Sequence, residues 1–279
     1  MKNILVTGAG GFLGKSLSEY FKQKGYRVHA CTRQELDASD FEQVYQWLRK
    51  NPVDVVLHTA VKGGRRNHKD SPEDFTTNVK MFNNFFYNRD QYSMLIHFGS
   101  GAEFDRDKNI DMCRESEVFE STPSDYYGRS KNLITKKIVR TNENLYNFRL
   151  FGCFGINEAE DRLLKVIKSG IENGTEVIID AEKKMDFFYD QDVCRAIEFY
   201  MTNFNKKNLP RDINLVYEQK LNLKQISDIV ENEMKSSNPN LILRNKEVKN
   251  YTGDATLFRQ TFPLDIFTGL YMGVAEVCK

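Results

Sequence analysis

The sequence predicts an α/β protein, a doubly wound parallel sheet followed by a smaller α/β lobe. Three features of the chain predict it. Short apolar runs alternate with helix-period stretches from the N-terminus to about residue 151, the rhythm of β-α-β crossovers that build a parallel sheet with right-handed connections. The runs are continuous in Val, Ile, Leu and Phe, as strands covered on both faces are. The first run opens directly onto three glycines at three-residue spacing.

That first stretch is the most informative. Ile4, Leu5 and Val6 read as a buried strand, Thr7-Gly8 ends it, and Gly8, Gly11 and Gly14 follow. From Phe12 the period turns helical, with Phe12, Leu13, Leu17, Tyr20 and Phe21 on one face. A strand, a glycine turn and a helix N-terminus together make an anion site. Missing Cβ atoms let backbone approach a pyrophosphate, and unpaired N–H groups with the positive helix end bind it. Gly8, Gly11, Phe12, Leu13 and Gly14 are therefore the expected dinucleotide turn.

The later elements follow in order. Residues 27–31 form a strand ending in Thr32-Arg33. Residues 39–50 form a helix, capped by Ser39 or Asp40, with Phe41, Val44, Tyr45 and Leu48 on one face. Residues 54–59 are a strand. Ser71-Pro72 opens a helix to about residue 88, with Ser as cap, Pro in the first turn and Glu73 and Asp74 next. Residues 93–98 are a strand, 101–122 a polar loop, 124–140 a helix begun by Ser124 or Asp125, and 145–151 a strand. Past Phe151 the rhythm loosens: helix 159–170, short strands 176–179 and 187–188, helix 190–203, strand 213–216, helix 222–235 and strand 241–243. The expected organisation is a dinucleotide-binding domain over 1–155 and a smaller substrate lobe over 156–279, with helix 190–203 packing back onto the first. Ligand is expected between them, outside the carboxyl edge of the sheet.

Composition narrows the class. The chain has 279 residues, 40% apolar and 28% charged, with 40 basic and 39 acidic side chains and a net charge of +1. This is the profile of a globular chain with no electrostatic footprint for nucleic acid or an anionic membrane. No apolar run is long enough for a membrane span, and the N-terminus does not read as a signal peptide. The five cysteines are scattered without a CxxC pair, which predicts reduced thiols, a cytoplasmic location and no metal site.

The end of the second predicted strand bears on the cofactor. An acidic residue there would take the ribose hydroxyls of NAD. Thr32-Arg33 stands there instead, and a guanidinium suits a 2′-phosphate, so NADP(H) is favoured over NAD(H). Asp37 is expected near the adenine. Thr59 and Ala60, ending the third strand, are small enough to let a cofactor lie flat.

A catalytic set follows. Tyr127 and Lys131 stand at i, i+4 at the start of helix 124–140 and share one face. An ammonium there is expected to lower the phenol pKa and let Tyr127 exchange a proton with a carbinol oxygen. Tyr20 and Lys24 match the same spacing and read as core plus solvated charge. Ser100 singles out Tyr127. It follows Ile96-His97-Phe98-Gly99 at a strand end, where its hydroxyl is placed to hold a substrate oxygen against the phenol.

Thr7 to Gly14, then Ser100, then Tyr127-Gly128-Arg129-Ser130-Lys131 together resemble the extended short-chain dehydrogenase/reductase family. Thr32 to Leu36, Ala60 to Gly64, Asp74-Phe75 with Asn78, Gly99-Ser100 and Asp186 to Val193 are most similar to the GDP-fucose synthases within it. The resemblance implies a Rossmann fold, a homodimer, a nucleotide-sugar substrate and Ser100, Tyr127 and Lys131 as the catalytic set. It also implies Asn78 on the cofactor side, and Lys62, Gly63, Phe151, Gly152 and Arg162 with Ser100 on the substrate side.

Departures from the resemblance carry chemistry. Ala102 and Arg162 stand where the fucose synthases place the cysteine and histidine of C3/C5 epimerisation, and neither shuttles a proton at neutral pH. Gly101-Ala102 replaces the Asp-Glu of the 4,6-dehydratases. Met185 replaces an arginine that meets the diphosphate, with Lys183 or Lys184 as substitutes. His58 and His97 fall within strands and read as core, which leaves His68, in the basic loop 62–70, as the first place to look for a missed base. The expectation is stereospecific NADP(H)-dependent reduction of a 4-keto sugar nucleotide. The alternatives are a 4-epimerase that retains its cofactor and a non-catalytic dinucleotide sensor.

Overall fold

The computed structural model describes residues 2–64, 69–141, 144–205, 208–244 and 248–279. In chain order the first half contains β1 (Asn3–Thr7), α1 (Phe12–Gln23), β2 (Arg27–Cys31), α2 (Phe41–Lys50), β3 (Val55–His58), α3 (Pro72–Tyr87), β4 (Met94–Ser100), β5 (Ile110–Cys113), α4 (Tyr126–Arg140), β6 (Leu145–Leu150) and β7 (Cys153–Phe154). The second half contains α5 (Leu163–Asn173), β8 (Val177–Asp180), β9 (Phe188–Tyr189), α6 (Asp190–Asn203), β10 (Asp212–Asn214), α7 (Leu223–Met234), β11 (Leu241–Arg244), β12 (Tyr251–Gly253), α8 (Thr256–Thr261) and α9 (Leu270–Cys278).

Six strands form one parallel sheet in the order β10-β6-β4-β3-β1-β2. Side-chain alternation along β1 assigns its two faces. Ile4 and Val6 join the core under α1 and α6, while Leu5 joins the core under α2, α3 and α4. The same split separates Met94, Ile96 and Phe98 from Leu95 on β4. Burial on both faces explains the continuous apolar runs. Strand order reverses at β1, flanked by β2 and β3, so the crevice of an open α/β sheet lies beside the turn that follows β1.

The helix starts obey capping chemistry. Asp40 accepts the Gln43 N–H, Ser71 forms a capping box with Asp74, and Asp125 accepts the Gly128 N–H. Asp40 and Asp125 thus settle the two positions that sequence left open.

Four stretches differ from the sequence reading. The polar loop at 101–122 contains a buried 3₁₀ turn at Gly101–Phe104, strand β5 and a second 3₁₀ turn at Glu115–Phe119. The strand expected at 213–216 in the second lobe is β10, and it extends the central sheet by pairing with β6. The helix expected at 159–170 runs Leu163–Asn173 and stops on Gly174 at φ 64°. Beyond residue 244 the chain adds β12, α8 and α9, which the sequence reading does not include.

The two expected lobes interleave. Helix α6 packs with α1 on the central sheet, and β5 pairs in parallel with β12 from the far end of the chain. A separate apolar core gathers α5, β8, α7 and α9, with β11 pairing along β8. Among the described residues, no helix is long and apolar enough to cross a membrane.

Candidate active site

The glycine turn after β1 is shaped by close approach. Gly8 sits at φ 64°, and a Cβ there would lie 2.8 Å from the backbone of Ala60. A Cβ at Gly14 would lie 2.4 Å from the Gly8 carbonyl oxygen. The α1 N-terminus at Gly11 has no side-chain cap, so its first N–H groups are left for a ligand. Thr59 and Ala60 close the far side: Thr59 Oγ1 donates to the Thr7 carbonyl at 2.5 Å, and the Ala60 N–H donates to Thr7 Oγ1 at 3.3 Å. Phe12 and Leu13 are half-buried in the first turn of α1.

Arg33 follows β2 with an exposed side chain, its Nε donating to Asp37 Oδ2 at 3.1 Å. Asp37 also accepts the N–H and hydroxyl of Ser39 at 2.9 and 2.7 Å, and these bonds hold its carboxyl below the usual range. Asn78 grips the backbone of Lys62, accepting its N–H at 2.8 Å and donating to its carbonyl at 2.9 Å, and donates to Ser130 Oγ on α4 at 3.3 Å. These bonds tie the loop after β3 to helices α3 and α4. Lys62 is paired with Glu73 and, at 3.6 Å, with Asp74.

Ser100, Tyr127 and Lys131 converge at the carboxyl end of β4. The Lys131 Nζ is buried, donates to the Phe98 carbonyl at 2.6 Å and lies 5.8 Å from the Tyr127 ring centroid. Burial lowers its pKa to about 8. Tyr127 is raised, first by burial, against the pull of the Ser100 hydroxyl and the Arg106 guanidinium. The lowering expected from the ammonium of Lys131 is not what sets this phenol: burial outweighs the pull of Ser100 and Arg106 and keeps it protonated. Gly64 covers the ring, whereas a Cβ at Gly63 would meet Asp70 Oδ1 at 2.5 Å. Gly64 is at φ 74°, and a Cβ there would lie 2.6 Å from Tyr127.

The matching pair Tyr20 and Lys24 lies elsewhere. Tyr20 Oη donates to Glu198 of α6 at 3.0 Å, and Lys24 is 3.9 Å from the same carboxylate. His58 and His97 are buried strand residues. Burial and the charge of Lys131 lower both, His58 to about 3, so they stay neutral. His68 lies outside the described residues.

Of the residues expected on the substrate side, Phe151 is buried, stacked on Phe104 and edge-on to Tyr251 at centroid distances of 6.1 and 5.4 Å. Gly152 accepts the Phe188 N–H at 2.9 Å. Arg162 is exposed at the N-cap of α5, and its charge acts on Glu158. Met185 packs against the separate apolar core of α5, β8, α7 and α9, and Lys184 pairs through its backbone with Asn222. Ala102 is fully buried.

Two residues of the site escaped the sequence reading. Glu103 is fully buried below Ser100, with Oε1 accepting the Ser100 N–H at 2.9 Å and Oε2 accepting Arg149 Nε and Nη2 at 2.9 and 2.8 Å. Arg149 also donates to Asp212 at 2.7 Å and to Asn214 at 2.9 Å, which ties β10 to β6. A lone arginine in the apolar run 145–151 was the available signal, because a buried guanidinium requires a carboxylate. The second is Tyr251 on β12, whose Oη lies 3.2 Å from Ser100 Oγ.

Among the described residues, no cluster of His, Cys, Asp and Glu is built to hold a metal. The chain is 25% identical over 236 residues to the GDP-L-colitose synthase of Yersinia pseudotuberculosis, covering 76% of this chain and 75% of that protein. The structure resembles the NADP-bound GDP-mannoheptose C4 reductase of Campylobacter jejuni with a TM-score of 0.84 at 18% identity, covering 99% of this chain and 96% of that one. It resembles the NADP-bound GDP-L-fucose synthetase of Naegleria fowleri with a TM-score of 0.80 at 18% identity, covering 99% and 91% of the two chains. The profile of the NAD dependent epimerase/dehydratase family matches residues 4–215, three quarters of the chain, from the glycine turn through the Ser–Tyr–Lys set to the last strand of the sheet, and the chain belongs to that family.

Proposed function

We propose that this protein is an NADP(H)-dependent oxidoreductase that reduces the 4-keto group of a nucleotide-linked sugar stereospecifically. The observation that carries the reading is the convergence of Ser100, Tyr127 and Lys131 at the end of β4, two strands from the glycine turn. The names of the relatives, a GDP-L-colitose synthase and a GDP-mannoheptose C4 reductase, support a sugar-nucleotide substrate.

The residues fit a dinucleotide. The turn at Gly8 and Gly14 is a cradle that any Cβ would fill, and it faces an uncapped helix N-terminus. Arg33 supports NADP(H) over NAD(H), since its guanidinium is exposed just past the end of β2, where the Cys31 carbonyl accepts the Ala9 N–H of the turn at 3.1 Å. The bound cofactor supplies hydride to the carbonyl carbon. Tyr127 passes its phenolic proton to the oxygen that carries the growing charge. Ser100 donates to the same oxygen and orients it. Lys131, held by the Phe98 carbonyl, stabilises the tyrosinate left behind.

The same reading includes a reduced, cytoplasmic setting, in keeping with five free thiols. It also includes a homodimer, for which the exposed Tyr87 and Leu133 on the adjacent helices α3 and α4 are the support.

Incubation with NADPH and a panel of nucleotide 4-keto sugars, followed by loss of cofactor absorbance, tests the proposal. Stoichiometric oxidation of added NADPH is expected with at least one substrate. Conversion of a sugar nucleotide at C4 with no net NADPH loss would identify a 4-epimerase instead.

A further inference from the structure

We propose that Tyr251 is a positioning residue that forces the Ser100 hydroxyl to donate toward substrate. The inference rests on the assignment of Ser100 as the group that orients the substrate carbonyl.

The argument is an inventory of one hydroxyl. Ser100 Oγ has a single proton to give and two lone pairs to fill. The Ala102 N–H donates to it at 3.2 Å, and Tyr251 Oη lies 3.2 Å away. If Ser100 gave its proton to Tyr251, none would remain for a ketone oxygen. If Tyr251 donates, both lone pairs are filled by the protein and the serine proton has to point out of that arrangement, where Tyr127 also stands. The surroundings favour the second pattern: among the described residues Ser100 Oγ is the one hydrogen-bond partner of Tyr251 Oη, so a buried phenolic proton not given to the serine would have no acceptor, and burial keeps that proton on the phenol.

The placement of Tyr251 is over-determined. Its N–H donates to the Lys184 carbonyl at 2.9 Å, and its carbonyl accepts the Asp186 N–H at 3.1 Å. The N–H of Gly253, two residues on, donates to Asp186 Oδ2 at 2.8 Å. The Phe151 ring stands edge-on to the phenol. Gly101 makes room for both rings: a Cβ there would lie 2.4 Å from Phe151 and 2.8 Å from Tyr251 Cζ. The residue after the catalytic serine is thus small because a ring occupies the space that its side chain would take.

Tyr251→Phe keeps the ring and its contact with Phe151 and removes only the hydroxyl. Turnover with NADPH and the accepted 4-keto sugar nucleotide is measured for the natural protein, Tyr251→Phe, Ser100→Ala and the double variant, with NADPH affinity as the check that each is folded. The expected result is a fall in kcat of about 3- to 10-fold for Tyr251→Phe, the worth of one neutral hydrogen bond, with KM unchanged and no further loss on the Ser100→Ala background. A Tyr251→Phe variant with full kcat, or one that loses the same factor with and without the serine, overturns the inference while leaving Ser100 in its role. Full activity in Ser100→Ala overturns the reading of Ser100 and this inference together. Should Tyr251→Phe fail to bind NADPH, Gly101→Ala displaces the phenol from the serine by crowding, and the same comparison with Ser100→Ala decides.

Discussion

The ammonium of Lys131 donates to the carbonyl oxygen of Phe98 at 2.6 Å, two residues before Ser100 on the same strand. One hydrogen bond thereby fixes helix α4 to strand β4 at the point where serine and tyrosine meet. The arrangement leaves a lysine that is only 4% exposed, its Nζ 5.8 Å from the centroid of the Tyr127 ring.

Tyr127→Phe removes the proton donor and keeps the ring, so turnover should fall by about 10²–10⁴ while cofactor affinity is retained. Tyr20→Phe, which breaks only the bond to Glu198, should leave turnover within a few fold. Steady-state kinetics with a folded control checks both, and equal losses at the two tyrosines would dismiss the assignment.

Stability should carry the signature of Lys131. Its pKa is lowered to about 8 in the folded protein from 10.5 in the unfolded chain. Between those values the unfolded chain binds more protons, so this group's contribution rises with pH and its burial cost is fully present below about 8. Lys131→Met removes that dependence. The stability of the variant relative to the natural chain should therefore fall by an amount on the order of 3 kcal/mol between pH 7.5 and 10.5. Parallel urea melts across that range check it, and a flat difference would mean that the lysine is not titrating from a buried position.

Arg33→Ala should weaken NADP(H) binding by roughly 10- to 100-fold, the worth of a charge-assisted hydrogen bond to a phosphate. NAD(H) affinity should stay nearly unchanged. Titration of both cofactors against both proteins measures it, and a natural protein that binds NAD(H) as tightly as NADP(H) would remove Arg33 from the 2′-phosphate site.

The fold was legible wherever a residue's role is set by its near neighbours in sequence. The glycine turn, the caps at Asp40, Ser71 and Asp125, and the shared face of Tyr127 and Lys131 all depend on spacings of a few residues. What escaped depends on pairing across the chain. Tyr251 meets Ser100 from 151 positions away, on a three-residue strand too short to show a period. Its ladder partner β5 lies in a stretch whose polar composition reads as loop. Glu103 looks like a loop residue until Arg149 neutralises it, and the same arginine draws Asp212 and β10 into the central sheet. The departures from the fucose synthases were readable as residue identities, and Ala102 is indeed fully buried without a titratable group.

Ala102 and Arg162 carry a further expectation: the C3 and C5 protons of the substrate should not exchange. Exchange needs a group that both removes and returns a proton near the working pH, and neither an alanine nor an arginine does so. The reaction run in deuterium oxide should give product without deuterium at C3 or C5 above a no-enzyme control. Deuterium at either carbon would point to a missed base, with His68 the first residue to replace.

The most direct test of reduction at C4 follows the hydride itself. NADPH carrying deuterium at the transferable position is supplied with the accepted nucleotide 4-keto sugar, and the product is read by NMR. The account predicts one deuterium at C4, in a single configuration, for each cofactor oxidised. A product carrying protium at C4 with the labelled cofactor unconsumed would contradict it.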